Sequence, residues 1–141
     1  NVSSTQNRVI LSQIAWSSFL EKPFFGHGSG TFVSLVEDNT RFVAKYGSPL
    51  DSHGFIQKIL AENGIVGLLT FVILLFVIFV QSFKKIISKP EDYKLTWPIF
   101  IAAFGGIFYQ LFNTSYYKGR VWLPIALLLV ALKLISDKQD E

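Results

Sequence analysis

The sequence has no cysteine and no methionine, and only two histidines and 10 acidic residues in 141 positions. Without cysteine there is neither a disulfide scaffold nor a thiolate zinc site. Charged residues make up 16% of the chain, where a soluble domain carries about a quarter, and the same arithmetic excludes disorder and collagen. The net charge of +3 is small and dispersed, so it leaves no nucleic-acid footprint. HExxH, P-loop, GxSxG and dinucleotide-binding patterns are missing, which removes most soluble-enzyme chemistries. Two histidines without cysteines or paired carboxylates make a poor metal site, so neither metal nor cofactor is expected. A chain that starts at Asn1 and holds no methionine reads as a piece of a longer protein.

What is present is apolar: half of all residues, including 14 Phe, concentrated in three runs. Residues 65–80 carry no charge, and with Gln81-Ser82-Phe83 the run approaches the roughly 20 residues that cross a bilayer core. The second run, 95–112, is broken by Thr96, Pro98, Gly105, Gly106 and Gln110. Pro98 falls in its first turn, where a missing N–H costs little. Ala102 and Gly106 form a small-xxx-small pair that admits a close neighbour. The third run, 121–135, contains Lys133, which can snorkel, while Trp122 and Tyr116-Tyr117 anchor its other end. The expected fold is all-α, a multi-pass integral membrane protein with spans near 65–83, 95–112 and 121–135 and a short tail. Lys84, Lys85, Lys89, Lys94, Lys133 and Lys138 face Lys58, Lys118 and Arg120 across the membrane. That excess puts loop 84–94 and the tail in the cytoplasm and residues 1–64 on the extracytoplasmic side.

Residues 1–64 do not read as a linker. Val9, Ile10, Leu11, Ile14, Ala15, Trp16, Phe19 and Leu20 follow the spacing of an amphipathic helix, opened by Arg8 and ended by Pro23. Then come Gly26, Gly28 and Gly30 among aromatic residues, a run in which backbone bends tightly or approaches a ligand closely. A polar passage over 37–52 follows. Asp51 or Ser52 is the expected N-cap of a helix over 53–63, with Phe55, Ile56, Ile59 and Leu60 as its apolar side. Asn63-Gly64 supplies a break or left-handed cap before the first span. An ordered outer segment of this length exceeds what topology needs, and long structured loops are usually functional.

His53 is the leading candidate for chemistry. At a helix N-terminus the dipole disfavours imidazolium, and a neutral imidazole is a competent general base. The simpler alternative is a histidine that caps the helix or sits among headgroups. Arg8, Arg41, Lys118 and Arg120 fall on the same side, where basic groups either hold an anionic substrate or meet lipid headgroups. His27, between two glycines, is either a substrate contact or a turn residue. Asn1-Val2-Ser3 and Asn113-Thr114-Ser115 fit a common glycosylation tripeptide.

Taken in order, the features are Arg8, Trp16, the run Pro23-Phe24-Phe25-Gly26-His27-Gly28-Ser29-Gly30-Thr31-Phe32, His53, and Gly64-Ile65-Val66-Gly67 opening the first span. This arrangement resembles the C-terminal part of the O-antigen ligase and O-antigen polymerase family of bacterial membrane proteins. His53, Gly64 and Gly67 match the family's spacing of a histidine, nine residues after its neighbour, and a GxxG. Gly54 stands where the ligases carry an amide or hydroxyl side chain, which leaves ligase and polymerase both open. The resemblance implies glycosyl transfer at the outer face of the bacterial plasma membrane. The donor would be an undecaprenyl-diphosphate-linked glycan and the acceptor lipid A-core, another lipid-linked glycan or a protein, without metal. By the same resemblance His53 would activate the acceptor hydroxyl and Arg8 would contact the diphosphate. Arg41, Lys118 and Arg120 are candidates by position and charge alone. Two other classes stay open: a transporter or flippase fragment, and a non-catalytic membrane subunit.

Overall fold

The computed structural model describes residues 2–52, 54–88, 90–114 and 116–137. They form helices joined by short turns, with no strand among them: α1 (Val2–Glu21), α2 (Phe32–Glu37), α3 (Thr40–Tyr46), α4 (Phe55–Ser88), α5 (Pro90–Tyr93), α6 (Trp97–Tyr109) and α7 (Gly119–Asp137). Single 3-10 turns, Lys94–Thr96 and Gln110–Phe112, extend α6 at both ends. The helices Phe55–Ser88, Lys94–Phe112 and Gly119–Asp137 are long and apolar enough to cross a membrane. The chain is thus an all-α, multi-pass membrane protein. Each span runs further than the apolar run that announced it, because helix propagates through Lys84, Lys85 and Ser88 once its own hydrogen bonds are made.

The chain divides into two compact units. The first comprises residues 1–71 with 111–114. Its core joins Leu11, Ile14 and Ala15 of α1, Phe32 and Val36 of α2, Phe42 of α3 and Ala61 of α4. The passage over 37–52, expected to be merely polar, contains α3. Asn39 caps it through a 3.1 Å bond to the Phe42 N–H, and Gly47 closes it in a left-handed conformation. α1 also begins well before Arg8, which stands within the helix instead of opening it.

The second unit comprises 72–110 and 115–141. Ile86, Tyr93, Ala103, Ile125, Leu128 and Leu132 form its core, and Phe79 meets Phe100 and Phe104 edge-on at 5.8 and 5.4 Å. Pro98 lies in the first turn of α6, as expected. The small-residue pair does not make the packing contact: Ala102 is exposed and Ala103 is fully buried in its place. Trp122 donates to the Tyr116 carbonyl at 2.6 Å, which ties the start of α7 to the preceding turn.

Candidate active site

The first unit is organised around a break in α4. Gly64 has φ 65° and ψ −166°, a combination open essentially to glycine alone. It separates an arm over 55–63 from the membrane arm over 65–88. A straight helix would hold Phe55 and Phe71 about 24 Å apart, yet their rings are 5.8 Å apart, so the first arm folds back beside the start of the second. A break of this kind strands carbonyls at the end of one arm and N–H groups at the start of the next.

The glycine-aromatic loop satisfies both sets. The His27 and Gly28 N–H groups donate to the Ala61 and Glu62 carbonyls at 3.0 and 2.7 Å. The Ile65 and Val66 N–H groups donate in turn to the Pro23 and Phe24 carbonyls at 2.8 and 3.2 Å. This mutual capping requires backbone against backbone. A Cβ on Gly26 would overlap the Glu62 carbonyl, and one on Gly64 the Phe24 carbonyl. The close approach foreseen for the glycine run is therefore to the chain's own helix. Gly28 and Gly30 also have positive φ, and a Cβ on Gly67 would meet the side chain of Asn63. Asn63 itself donates to Ser29 Oγ at 2.7 Å, a further tie between arm and loop.

Beside this joint lies a charged cluster that sequence reasoning did not single out. Lys58 Nζ is 2.8 Å from both carboxylate oxygens of Asp51 and 3.9 Å from Glu62 Oε1. The Lys58 and Glu62 side chains are only 8% and 2% exposed, so this lysine is held inside the protein and not at its surface. Glu62 also accepts from the Phe32 N–H at 3.1 Å, capping α2 from another helix. The available signal was a lysine and a glutamate four residues apart on one helix, a pair that shares a face.

His53 lies outside the described residues. Its neighbours are tied down from several directions. Ser52 N–H donates to Asp51 Oδ1 at 2.8 Å, and Gly54 N–H donates to Ser52 Oγ at 3.3 Å. Thr114 Oγ1 donates to the Ser52 carbonyl at 2.6 Å. The helix begins at Phe55, two residues later than expected, and the Gly54 carbonyl accepts its first bond. Asp51 thus serves Lys58 more than the helix end.

The other candidates are dispersed. Arg8 is exposed on α1, beside an open trough of about 510 Å³ lined also by Val9, Ser12, Gln13, Trp16, Ser17 and Leu20. Arg41 belongs to α3, and its side chain lies outside the described residues. Lys118 and Arg120 are exposed and belong to the second unit, with Lys118 5.9 Å from the Tyr117 ring centroid. His27 lies in the glycine loop, its ring 3.4 Å from the Ala61 carbonyl and 3.3 Å from Glu21.

The family model described as O-antigen ligase matches residues 1–72, the stretch that contains the loop, the charged cluster and the broken helix. The chain belongs to the O-antigen ligase family. No curated protein and no solved structure matches it. Family membership makes this O-antigen ligase relative a glycosyltransferase in general terms, working in a membrane on a lipid-linked glycan donor and an acceptor.

Proposed function

We propose that the protein transfers a glycan from undecaprenyl diphosphate to an acceptor hydroxyl at the extracytoplasmic face of the bacterial plasma membrane, with residues 1–64 on that face. The observation that carries this reading is the joint at Gly64. The arm that follows His53 in sequence folds back against the start of a membrane span, and four cross-capping bonds hold it there. A reaction between a lipid-anchored donor and an acceptor needs its base held at a fixed depth near the membrane surface, and such a joint supplies that fixity.

In this reading His53 takes the proton of the acceptor hydroxyl as it attacks the anomeric carbon. The bond from that carbon to the diphosphate oxygen breaks, and the lipid diphosphate leaves. Arg8 stabilises the charge that grows on the diphosphate, and Arg41, Lys118 and Arg120 are further candidates for that anion. Asp51, paired with Lys58, and Thr114 hold the Ser52 backbone before position 53, and Ser52 Oγ holds the Gly54 N–H after it. A transporter reading draws on broken helices that present free backbone groups to a cargo. Here the backbone groups freed at Gly64 are taken by the protein's own loop, which favours transferase over transporter.

The test uses the full-length protein in membranes with an undecaprenyl-diphosphate-linked glycan, reading lipid diphosphate release and glycan product together. His53→Ala at matched expression is expected to slow turnover by about 10²–10⁴, the range for a lost general base. Arg8→Ala is expected to cost roughly 10²–10³. Unchanged turnover in His53→Ala would remove the base from this loop, and function intact in both variants would favour a non-catalytic subunit.

A further inference from the structure

α1 is apolar on two opposite faces. Leu11, Ile14 and Ala15 point into the core, together with Ser18. Val9, Trp16 and Leu20 project the other way, and at about 100° per residue they fall within a sector of roughly 40°. They are 52%, 57% and 61% exposed. The stripe runs on into Phe24 and Phe25, which are 67% and 76% exposed. Nothing in the core of the first unit uses these five side chains.

The depth of one end of the stripe is fixed. The Pro23 and Phe24 carbonyls accept from the N–H groups of Ile65 and Val66, the first turn of the membrane arm. That arm, 65–88, is about 36 Å long at 1.5 Å per residue, against a hydrocarbon core of about 30 Å. Its first turn therefore stands within a few ångströms of the core boundary, the level where aromatic side chains concentrate. Phe24 is bonded at that level, and Phe25 is its neighbour in the chain. Arg8 and Lys22 are exposed near the two ends of the stripe, with Glu21 beside His27, and basic residues at that level favour anionic headgroups.

We propose that the outer stripe of α1 and the Phe24-Phe25 pair bind the boundary between headgroups and acyl chains, so that α1 lies in the membrane surface. The occupant is the lipid of the same bilayer that the spans cross. A helix lying flat carries Arg8 at headgroup level, the depth at which a lipid diphosphate resides. This last consequence rests on the function proposed above, whereas the binding of lipid does not.

These 141 residues hold no cysteine, so once any cysteine elsewhere in the full-length protein is replaced by serine, a nitroxide can be attached at one chosen site. Trp16→Cys, Leu20→Cys and Phe25→Cys variants of the full-length protein would be reconstituted in vesicles of phosphatidylcholine and phosphatidylglycerol. Phe76→Cys, on an exposed ring within the membrane arm, serves as the lipid reference. Power saturation then compares access to oxygen, which partitions into lipid, with access to a water-soluble nickel chelate. The expected result is a positive depth parameter at 16, 20 and 25, with position 25 nearest the value at 76. Higher access to the nickel chelate at 16 and 20 would overturn the proposal by placing the stripe in water. Low access to both would overturn it by showing protein over the stripe. Because all three side chains are exposed, the substitutions remove little packing. The readout is independent of activity, so an inactive His53→Ala protein should give the same depths.

Discussion

The two units of this protein hold together by different physics. The second is built from long helices around an apolar and aromatic core, as in the Phe79, Phe100 and Phe104 cluster. Two of its polar side chains turn back on their own helices, Ser82 to the Ile78 carbonyl at 2.7 Å and Gln110 to the Gly106 carbonyl at 3.3 Å. The first unit leaves regular helix repeatedly. Each departure is repaired by a specific donor or acceptor, whether the glycine loop at Gly64, Glu62 at the start of α2 or Asn39 at the start of α3. Interchangeable packing suffices to span a lipid phase, whereas a fixed arrangement of polar groups at its surface requires named partners.

The contrast is sharpest at glycine. Gly64→Ala, or Gly26→Ala, is expected to cost more than about 3 kcal/mol, since strained backbone adds to overlap with a carbonyl. Thermal unfolding in detergent and proteolytic nicking between residues 22 and 31 would report it. Gly105→Ala, in a helix with open space around it, is expected to be neutral or stabilising by up to about 1 kcal/mol. Equal losses at Gly64 and Gly105 would abolish the distinction between the units.

Charge gives the next largest difference. Lys58→Met leaves Glu62 buried and Asp51 unpaired, a loss on the order of 3 kcal/mol, with glycan product falling alongside stability. Lys133→Met, at an exposed position of α7, should stay within about 0.5 kcal/mol. Chemical denaturation of the two variants side by side would decide it, and a tolerant Lys58 would mean that the cluster is not what fixes Asp51 and Ser52 in place. A smaller loss than at Lys58 is expected from Phe79→Leu, about 1 kcal/mol from lost edge contacts, without added nicking in the glycine loop. Nicking there would show that the units do not unfold separately.

Much of this was legible in the chain. The three spans, the proline in the first turn of α6 and the interruption at Asn63-Gly64 follow from hydropathy and from backbone chemistry that only a few residues allow. The amphipathic pattern of 9–20 announced α1 but not its two-sidedness, because Trp16 and Leu20 score as core by composition while their angular position puts them opposite Leu11 and Ile14. α3 was hidden in a polar passage, since a short helix with one buried anchor, Phe42, has too few periods to read. Lys58 counts only toward topology in the sequence and Glu62 is not singled out there, for burial of a charge depends on a partner such as Asp51 that spacing does not reveal.

The sequence by itself determined that this chain enters a lipid phase, where the entry lies, and which residues match an O-antigen ligase, because solvation of long apolar runs and the φ range of glycine are local properties. The tertiary structure alone decided what the glycine run touches, which charges are buried together and which face of α1 stays outward. Those depend on groups far apart in the chain, such as Phe24 with Val66 and Ser52 with Thr114, meeting at hydrogen-bond distance, and no local preference encodes such meetings.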